Sequence, residues 1–409
     1  LHALALAIAV AALVGVLVRP WRSDAAWWAV GGAVLLVVCG AVAPALAASA
    51  LRRGVEVYLF LVGMMALGEF ARVEGVFDWV AARAVDLAGG SRLRLLTIVY
   101  ATGVVTTAFL SNDATIVVLT PAVLVALRAT DASPLPYAYA CALVANAASI
   151  LLPIANPSNL LFFAAGMPPL GAWFVSFGLA SLAAIVLTFA ALALAFRREL
   201  RAPLVGREAD PPAPRAAASI VLVLAALALV VAASRAGALG SVAFALGIVA
   251  TLVAVTRRRD APLAIARGIA WPVVLLTMGL FVIVEAFELG GVATLTRALV
   301  TWALHTSPPL ARLGIAAAAA LASNVANNLP VGLELGRTVA ATHPPTPLGS
   351  AALVGVNLGP NFSVNGSLAT VLWLAILRRF DVRVSALHFA AIGAMTTPLA
   401  LGTAALLAR

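Results

Sequence analysis

The sequence is poor in charge. Asp, Glu, Lys and Arg make up 10% of its 409 residues, against roughly 25% in a soluble domain. A soluble fold of this length could not clothe its surface with so few charged groups. Hydrophobic residues reach 63% and mean hydropathy is +1.08. The chain therefore reads as an all-α polytopic membrane protein embedded in a lipid bilayer. Cysteine is nearly missing. Cys39 and Cys141 lie in apolar stretches as small buried hydrophobes, and two thiols exclude a three-sulfur metal site. No metal and no other cofactor is expected. Histidine is scarce too, and His2, His305, His343 and His388 sit near the ends of apolar runs, so no catalytic constellation is expected. No Gly-x-x-x-x-Gly-Lys loop is present, which excludes ATP hydrolysis by that route. The net charge of +10 is spread over short loops, which argues against a nucleic-acid partner.

Apolar runs of spanning length dominate what is there. They fall at about 1–19, 27–50, 54–71, 136–165 and 172–195, and again at 217–233, 237–256, 267–285, 347–377 and 385–408. Leu1 to Val18 lacks a basic leader and reads as a first span rather than a cleavable signal. A polar linker at 197–216, carrying Arg198, Glu199, Asp210 and Pro211-Pro212, separates a first membrane repeat (1–196) from a second (217–409). An outside N-terminus puts Arg19, Arg22, Arg92, Arg94, Arg197, Arg198, Arg201, Arg257-Arg258-Arg259 and Arg378-Arg379 inside. Arg52, Arg53, Arg235, Arg312 and Arg409 then fall outside, an imbalance that makes the linker cytoplasmic. The stretches 72–90 and 288–304 read as interfacial arms or as extra spans. Trp21, Trp27, Trp28, Trp79, Trp271 and Trp302 flank apolar runs as interface anchors, whereas Trp173 and Trp373 pack against lipid or neighbours.

Two segments fit neither one span nor two. Residues 95–128 carry Ser111-Asn112-Asp113 near the middle, and residues 309–340 carry Asn327-Asn328. A hairpin that dips into the membrane and returns on the same side fits such lengths, provided protein or a water-lined cavity covers the turn. Two further segments are interrupted by Pro, Gly and Asn and should be broken helices. One is 136–165, with Asn146, Asn156, Pro157, Ser158 and Asn159. The other is 347–377, with Asn357, Asn365, Gly366 and Ser367. The second set echoes the first: Asn112 and Asn328, Glu69 and Glu285, and Gly75 and Gly291 are each 216 positions apart. Matching polar clusters in apolar sequence point to an inverted-repeat transporter with its binding site between the halves.

Buried amides cost free energy unless they bind something. Ser111, Asn112, Asp113, Asn146, Asn156, Ser158, Asn159, Asn327, Asn328, Asn357, Asn365, Gly366 and Ser367 are therefore the candidate solute- or ion-binding residues. At the hairpin tips Asn can clamp a polyol-like solute or cap the turn, and both readings are open. Asp113 has no acidic counterpart, since Leu329 takes the matching place; it is the candidate proton carrier. Glu69 and Glu285 read as ties to interfacial arginines, and Glu334 and Arg337, three apart, as a local pair.

These segments resemble a known family. Phe109-Leu110-Ser111-Asn112-Asp113 through Leu119-Thr120-Pro121, then Asn327-Asn328-Leu329-Pro330, then Gly355-Val356-Asn357-Leu358-Gly359-Pro360-Asn361 with Val364-Asn365-Gly366-Ser367-Leu368-Ala369-Thr370, are similar to the signatures of the ArsB-type arsenite permeases. The resemblance covers nearly the whole chain. It implies inverted repeats, each with a reentrant hairpin and a broken helix, and places Asn112, Asn328, Asn156 and Asn365 near the centre. It implies export of arsenite or antimonite driven by protons or membrane potential, a bacterial inner-membrane location, and a separate arsenical-pump ATPase as a partner. A homodimer is a further expectation. The alternatives within the superfamily are a sodium/proton antiporter and a carboxylate carrier.

Overall fold

The computed structural model describes residues 2–20, 23–206, 213–235, 238–256 and 258–409. Trp21, Arg22, Arg257, Asp210 and Pro211-Pro212 lie outside the described residues. Helix is the dominant element, joined by two isolated bridges, Ser91 with Pro203 and Thr130 with Gly206. Among the described residues six helices are long and apolar enough to cross a bilayer: Arg92–Leu110, Leu170–Ala195, Ala216–Ser234, Trp271–Leu289, Pro308–Ala326 and Ala386–Leu407. A seventh candidate is the pair Pro44–Arg53 and Val55–Val73, bent by 45° at Gly54. The protein is thus an all-α polytopic membrane protein. The runs at 136–165 and 347–377 do not become single helices. Leu135–Ala147 is separated from Pro157–Phe162, and Thr346–Leu358 from Leu368–Arg379. The stretches at 72–90 and 288–304 form Val76–Ala88 and Val292–Leu304, each 13 residues and so about 20 Å long. That falls short of a hydrocarbon core of about 30 Å.

Element boundaries recur along the chain. Val55–Val73, Val76–Ala88 and Arg92–Leu110 are followed 216 positions later by Trp271–Leu289, Val292–Leu304 and Pro308–Ala326. Gly75 and Gly291 supply the turn between the first two helices of each set, with φ of 74° and 84°. Glycine adopts this left-handed conformation without steric cost. Helices also cross between the two ranges. Val55–Val73 packs along Leu239–Val255, where a Cβ on Gly63 would strike the Ala243 backbone and one on Gly240 the Glu56 backbone. Trp271–Leu289 packs in the same way along Ala25–Val38, with Gly279 against Ala29. Small residues let backbones meet where apolar side chains gain nothing by leaving lipid.

The segment after Gly90 returns to where it began. Arg92, at the start of Arg92–Leu110, donates to the Asp131 carboxylate at 2.8 Å, just beyond the end of Thr120–Leu127. The Tyr137 hydroxyl donates to the Arg92 carbonyl at 3.3 Å. The linker is clasped to the same place. Val205 N–H donates to Asp131 Oδ1 at 2.9 Å, and Asp131 N–H donates back to the Val205 carbonyl at 2.9 Å. The Val205 amide and then Arg92 hold the Asp131 carboxyl below the usual carboxylate range.

Candidate functional site

The chain turns at Ser111 with φ 85° and ψ 161°, and at Asn327 with φ 72° and ψ 148°. Side chains other than glycine rarely adopt this region, and doing so costs about 1–3 kcal/mol. Each turn starts a new helix, at Asn112 and at Asn328. After the first, Thr115–Leu119 widens into a π-helical turn tied by the Thr107 and Thr115 hydroxyls at 2.8 Å. Asn327 caps its own helix, accepting from Leu329 N–H at 3.2 Å, and Asn328 N–H donates to the Gly366 carbonyl at 3.0 Å.

Buried amides join the two helix breaks, in one network around Asn357 and in a separate pair, Asn146 with Asn361. Asn156 caps Pro157–Phe162 by accepting from Ser158 N–H at 3.0 Å, with Pro157 at the first helical position. Its Nδ2 donates to Asn357 Oδ1 at 2.8 Å, and Asn357 Nδ2 donates to Asn159 Oδ1 at 3.0 Å. The Ser158 hydroxyl reaches Asn357 Oδ1 at 3.3 Å. Asn159 Nδ2 donates to the freed carbonyl of Ser149 at 2.8 Å, and Asn146 Nδ2 to Asn361 Oδ1 at 2.8 Å. Ser367 caps Leu368–Arg379 through Thr370 N–H at 3.2 Å. Two wholly buried tryptophans tie these segments to their neighbours, Trp173 Nε1 donating to the Ile150 carbonyl in the first break at 3.1 Å and Trp373 Nε1 to the Ala138 carbonyl near the start of Leu135–Ala147 at 3.0 Å. Both therefore pack on protein rather than lipid.

These elements meet across the chain. Pro157–Phe162 lies on Asn328–Thr342, so close that a Cβ on Gly336 would run into the Phe162 carbonyl. Leu368–Arg379 lies on Thr115–Leu119. Between them is a cleft with polar walls from Asn112, Asp113, Asn156, Asn328 and Ser367, completed by Pro157, Val273, Leu329 and Ala369. The space is about 10 Å³, roughly what one water needs. Among the described residues the side chains of Asn112, Asp113 and Asn328 make no hydrogen bond or ion pair, and Asn112 Oδ1 is buried without a partner. Among the described residues no Arg, Lys or His lines the cleft.

Of the residues singled out from sequence, five line this cleft. Ser158, Asn159 and Asn357 are spent on the amide network, whereas Asn146 donates to Asn361 and its own Oδ1, like Asn361 Nδ2, is buried without a partner. Asn327 caps a helix, Gly366 supplies a backbone carbonyl, and Ser111 faces a neighbouring cavity. Asn365 stands exposed beyond the break. Asn361, in the separate pair, and Ser149, in the network, carry the same Asn and Ser signal, visible near Pro360 and Pro153. Glu69 is tied to Arg72 at 2.6 Å and Glu285 to Arg337 at 2.6 Å and to Arg53, as expected of scaffold ties. Glu334 and Arg337 do not pair. Arg337 turns to Glu285 and Glu288, and Glu334 accepts from Thr296 at 3.3 Å.

Known proteins bear on this arrangement. The family described as "Citrate transporter" (CitMHS) matches residues 13–358. Arsenical pump membrane protein of Escherichia coli K12 is 25% identical over 425 residues, covering 99% of this chain and 98% of the relative. That of Yersinia enterocolitica is 27% identical, covering 82% and 81%. The crystal structure of the Alcanivorax borkumensis YdaH transporter shares the fold, with a TM-score of 0.58 at 16% identity over 88% of this chain and 86% of that one. The finer resemblance to arsenite permeases rests on relatives of low identity, whereas the family match spans most of the sequence. A bilayer-spanning α-fold and transporter relatives along its length make this a multi-pass protein consistent with the plasma membrane. The chain belongs to the citrate-transporter (CitMHS) family, among the membrane-embedded secondary transporters of the ArsB/NhaD superfamily.

Proposed function

We propose that residues 1–196 and 217–409 are inverted repeats whose reentrant hairpins and broken helices part from the closed, water-sized cleft of this form to admit a small polar solute and expose it alternately to the two sides. The recurrence at 216 positions and the return of Asp131 to Arg92 support that reading. So does the crossed packing of each hairpin on the other range's broken helix.

The solute we infer is a neutral trihydroxide, arsenite or antimonite, exported against proton influx with Asp113 as the carrier. One observation carries this: among the described residues, Asn112, Asp113 and Asn328 present unbonded side chains to a cleft that no cationic side chain lines. Amides donate to and accept from hydroxyls, so they suit an uncharged polyhydroxy solute. A multiply charged anion would leave water beside Asp113 with no countercharge, which is costly. The relatives named arsenical pump membrane proteins agree with this substrate. The family match favours a second reading, a carboxylate carrier.

The test is flux into everted vesicles carrying the full chain. Arsenite accumulation that needs a proton gradient, with loss in Asp113→Asn at unchanged protein amount, is the expected result. Gradient-driven citrate flux without arsenite flux would establish the second reading. Sodium-dependent proton movement with neither solute would make the protein a sodium/proton antiporter.

A further inference from the structure

We propose that Glu69 is a second proton-binding residue, which relays protons between Asp113 and the face where Arg72 emerges. The proposal rests on proton coupling through Asp113 as read above. Asp113 lines two cavities, the central cleft and a neighbouring space of about 30 Å³. Glu69, Ser111 and the Gly268 backbone line that second space together with Asp113. Glu69 is buried, at 4% exposure, while its partner Arg72 keeps 47% of its side chain exposed. Arg72 binds Oε2 alone, leaving Oε1 without a partner among the described residues.

The matching acid is built differently. Glu285 is gripped by both Arg53 and Arg337, and the position that answers to Asp113 is Leu329. A protonatable path from buried acid to cleft therefore exists on one side. On the elements around Glu69, Glu56 caps Leu239–Val255 and Glu74 holds Arg215, Tyr58 lies towards the other end of Glu69's own helix, and Arg267 stands beside Gly268 on Ala261–Gly268. Gly268 fixes the geometry, because a Cβ there would collide with the Glu69 carboxylate. The step balances simply. Protonated Glu69 gives its proton to the Asp113 carboxylate, Arg72 neutralises the Glu69 carboxylate left behind, and water on the Arg72 face supplies the next proton.

The experiment compares proton-driven efflux with solute–solute exchange in vesicles holding the full chain. The solute is arsenite, or citrate where the wild type carries that instead. Exchange needs no net proton movement. Glu69→Gln is expected to slow proton-driven efflux about tenfold or more while exchange stays within about twofold. Deuterium oxide should slow this variant more than wild type, and Glu69→Asp should restore much of the flux. Gly268→Ala keeps every ionisable group yet displaces the carboxylate, and should show the same split. Unchanged proton-driven efflux in Glu69→Gln overturns the relay. Equal loss of efflux and exchange, with normal protein in the membrane, overturns it too and makes Glu69 a scaffold residue. Asp113→Asn separates the two ideas: if it keeps proton coupling, the transport reading falls first and the relay with it.

Discussion

Ser111 and Asn327, 216 positions apart, hold the same uncommon backbone conformation, with φ of 85° and 72°. Each immediately precedes an asparagine whose side chain faces the cleft unbonded. The strain sits at the edge of the cleft, beside the two residues proposed to grip the solute.

Relieving that strain should stabilise the protein at the cost of transport. Ser111→Gly is expected to raise the thermal stability of purified protein by about 1 kcal/mol. Asn327→Gly should gain less, because it also gives up the cap on Leu329 N–H. Flux should fall in both. Melting in detergent and vesicle flux, measured on the same preparations, check the pair.

The amide network should behave as scaffold. Asn357→Ala strands Asn159 Oδ1 in a buried site, which costs about 1–3 kcal/mol. Asn365→Ala, at an exposed position, should move stability by no more than about 0.5 kcal/mol. Equal melting shifts for the two would contradict the placement of these residues.

Contact between Asn328–Thr342 and Pro157–Phe162 leaves no room for a methyl group at Gly336. Gly336→Ala must push the Phe162 carbonyl away, and overpacking of this kind costs about 1–3 kcal/mol. Gly171→Ala has open space around its Cβ and should be neutral or slightly stabilising. Thermal denaturation of the two variants side by side tests the closeness of the crossing.

The linker clasp should loosen in acid. The Val205 amide and Arg92 depress the Asp131 pKa in the folded state. Its contribution is then fully present above the unfolded value of about 3.9 and is lost as pH falls through the lower folded value. Protection of the Val205 amide against hydrogen exchange, taken relative to its intrinsic rate at each pH, should therefore fall below about pH 4. Asp131→Asn should remove that dependence.

Much of the architecture could be read from residue spacing. Glu69 with Glu285, Gly75 with Gly291 and Asn112 with Asn328 mark the displacement at which helices start and stop, because a left-handed turn or a buried polar group leaves few residue choices. The occupants of the cleft were harder to separate. An asparagine that faces a solute and one that faces another asparagine look alike in sequence. Asn357 and Asn159 meet across almost two hundred residues. Glu334 and Arg337 show the same limit, since local spacing suggested a pair and Glu285, brought in by the fold, took the arginine. The π-helical turn at Thr115–Leu119 has no periodic signature at all.

Crossed helix packing also has a meaning for biogenesis. Gly63 leaves the ribosome well before Ala243, its backbone neighbour 180 residues later, has been made. At about 5–20 residues per second, the early helices wait on the order of ten seconds or longer with a groove facing lipid. The newborn N-terminal segments are thus an unfinished client, exposed to quality-control proteases until translation supplies their mates. Two fragments cut in the linker and made in the same cell should find each other, whereas either alone should be degraded.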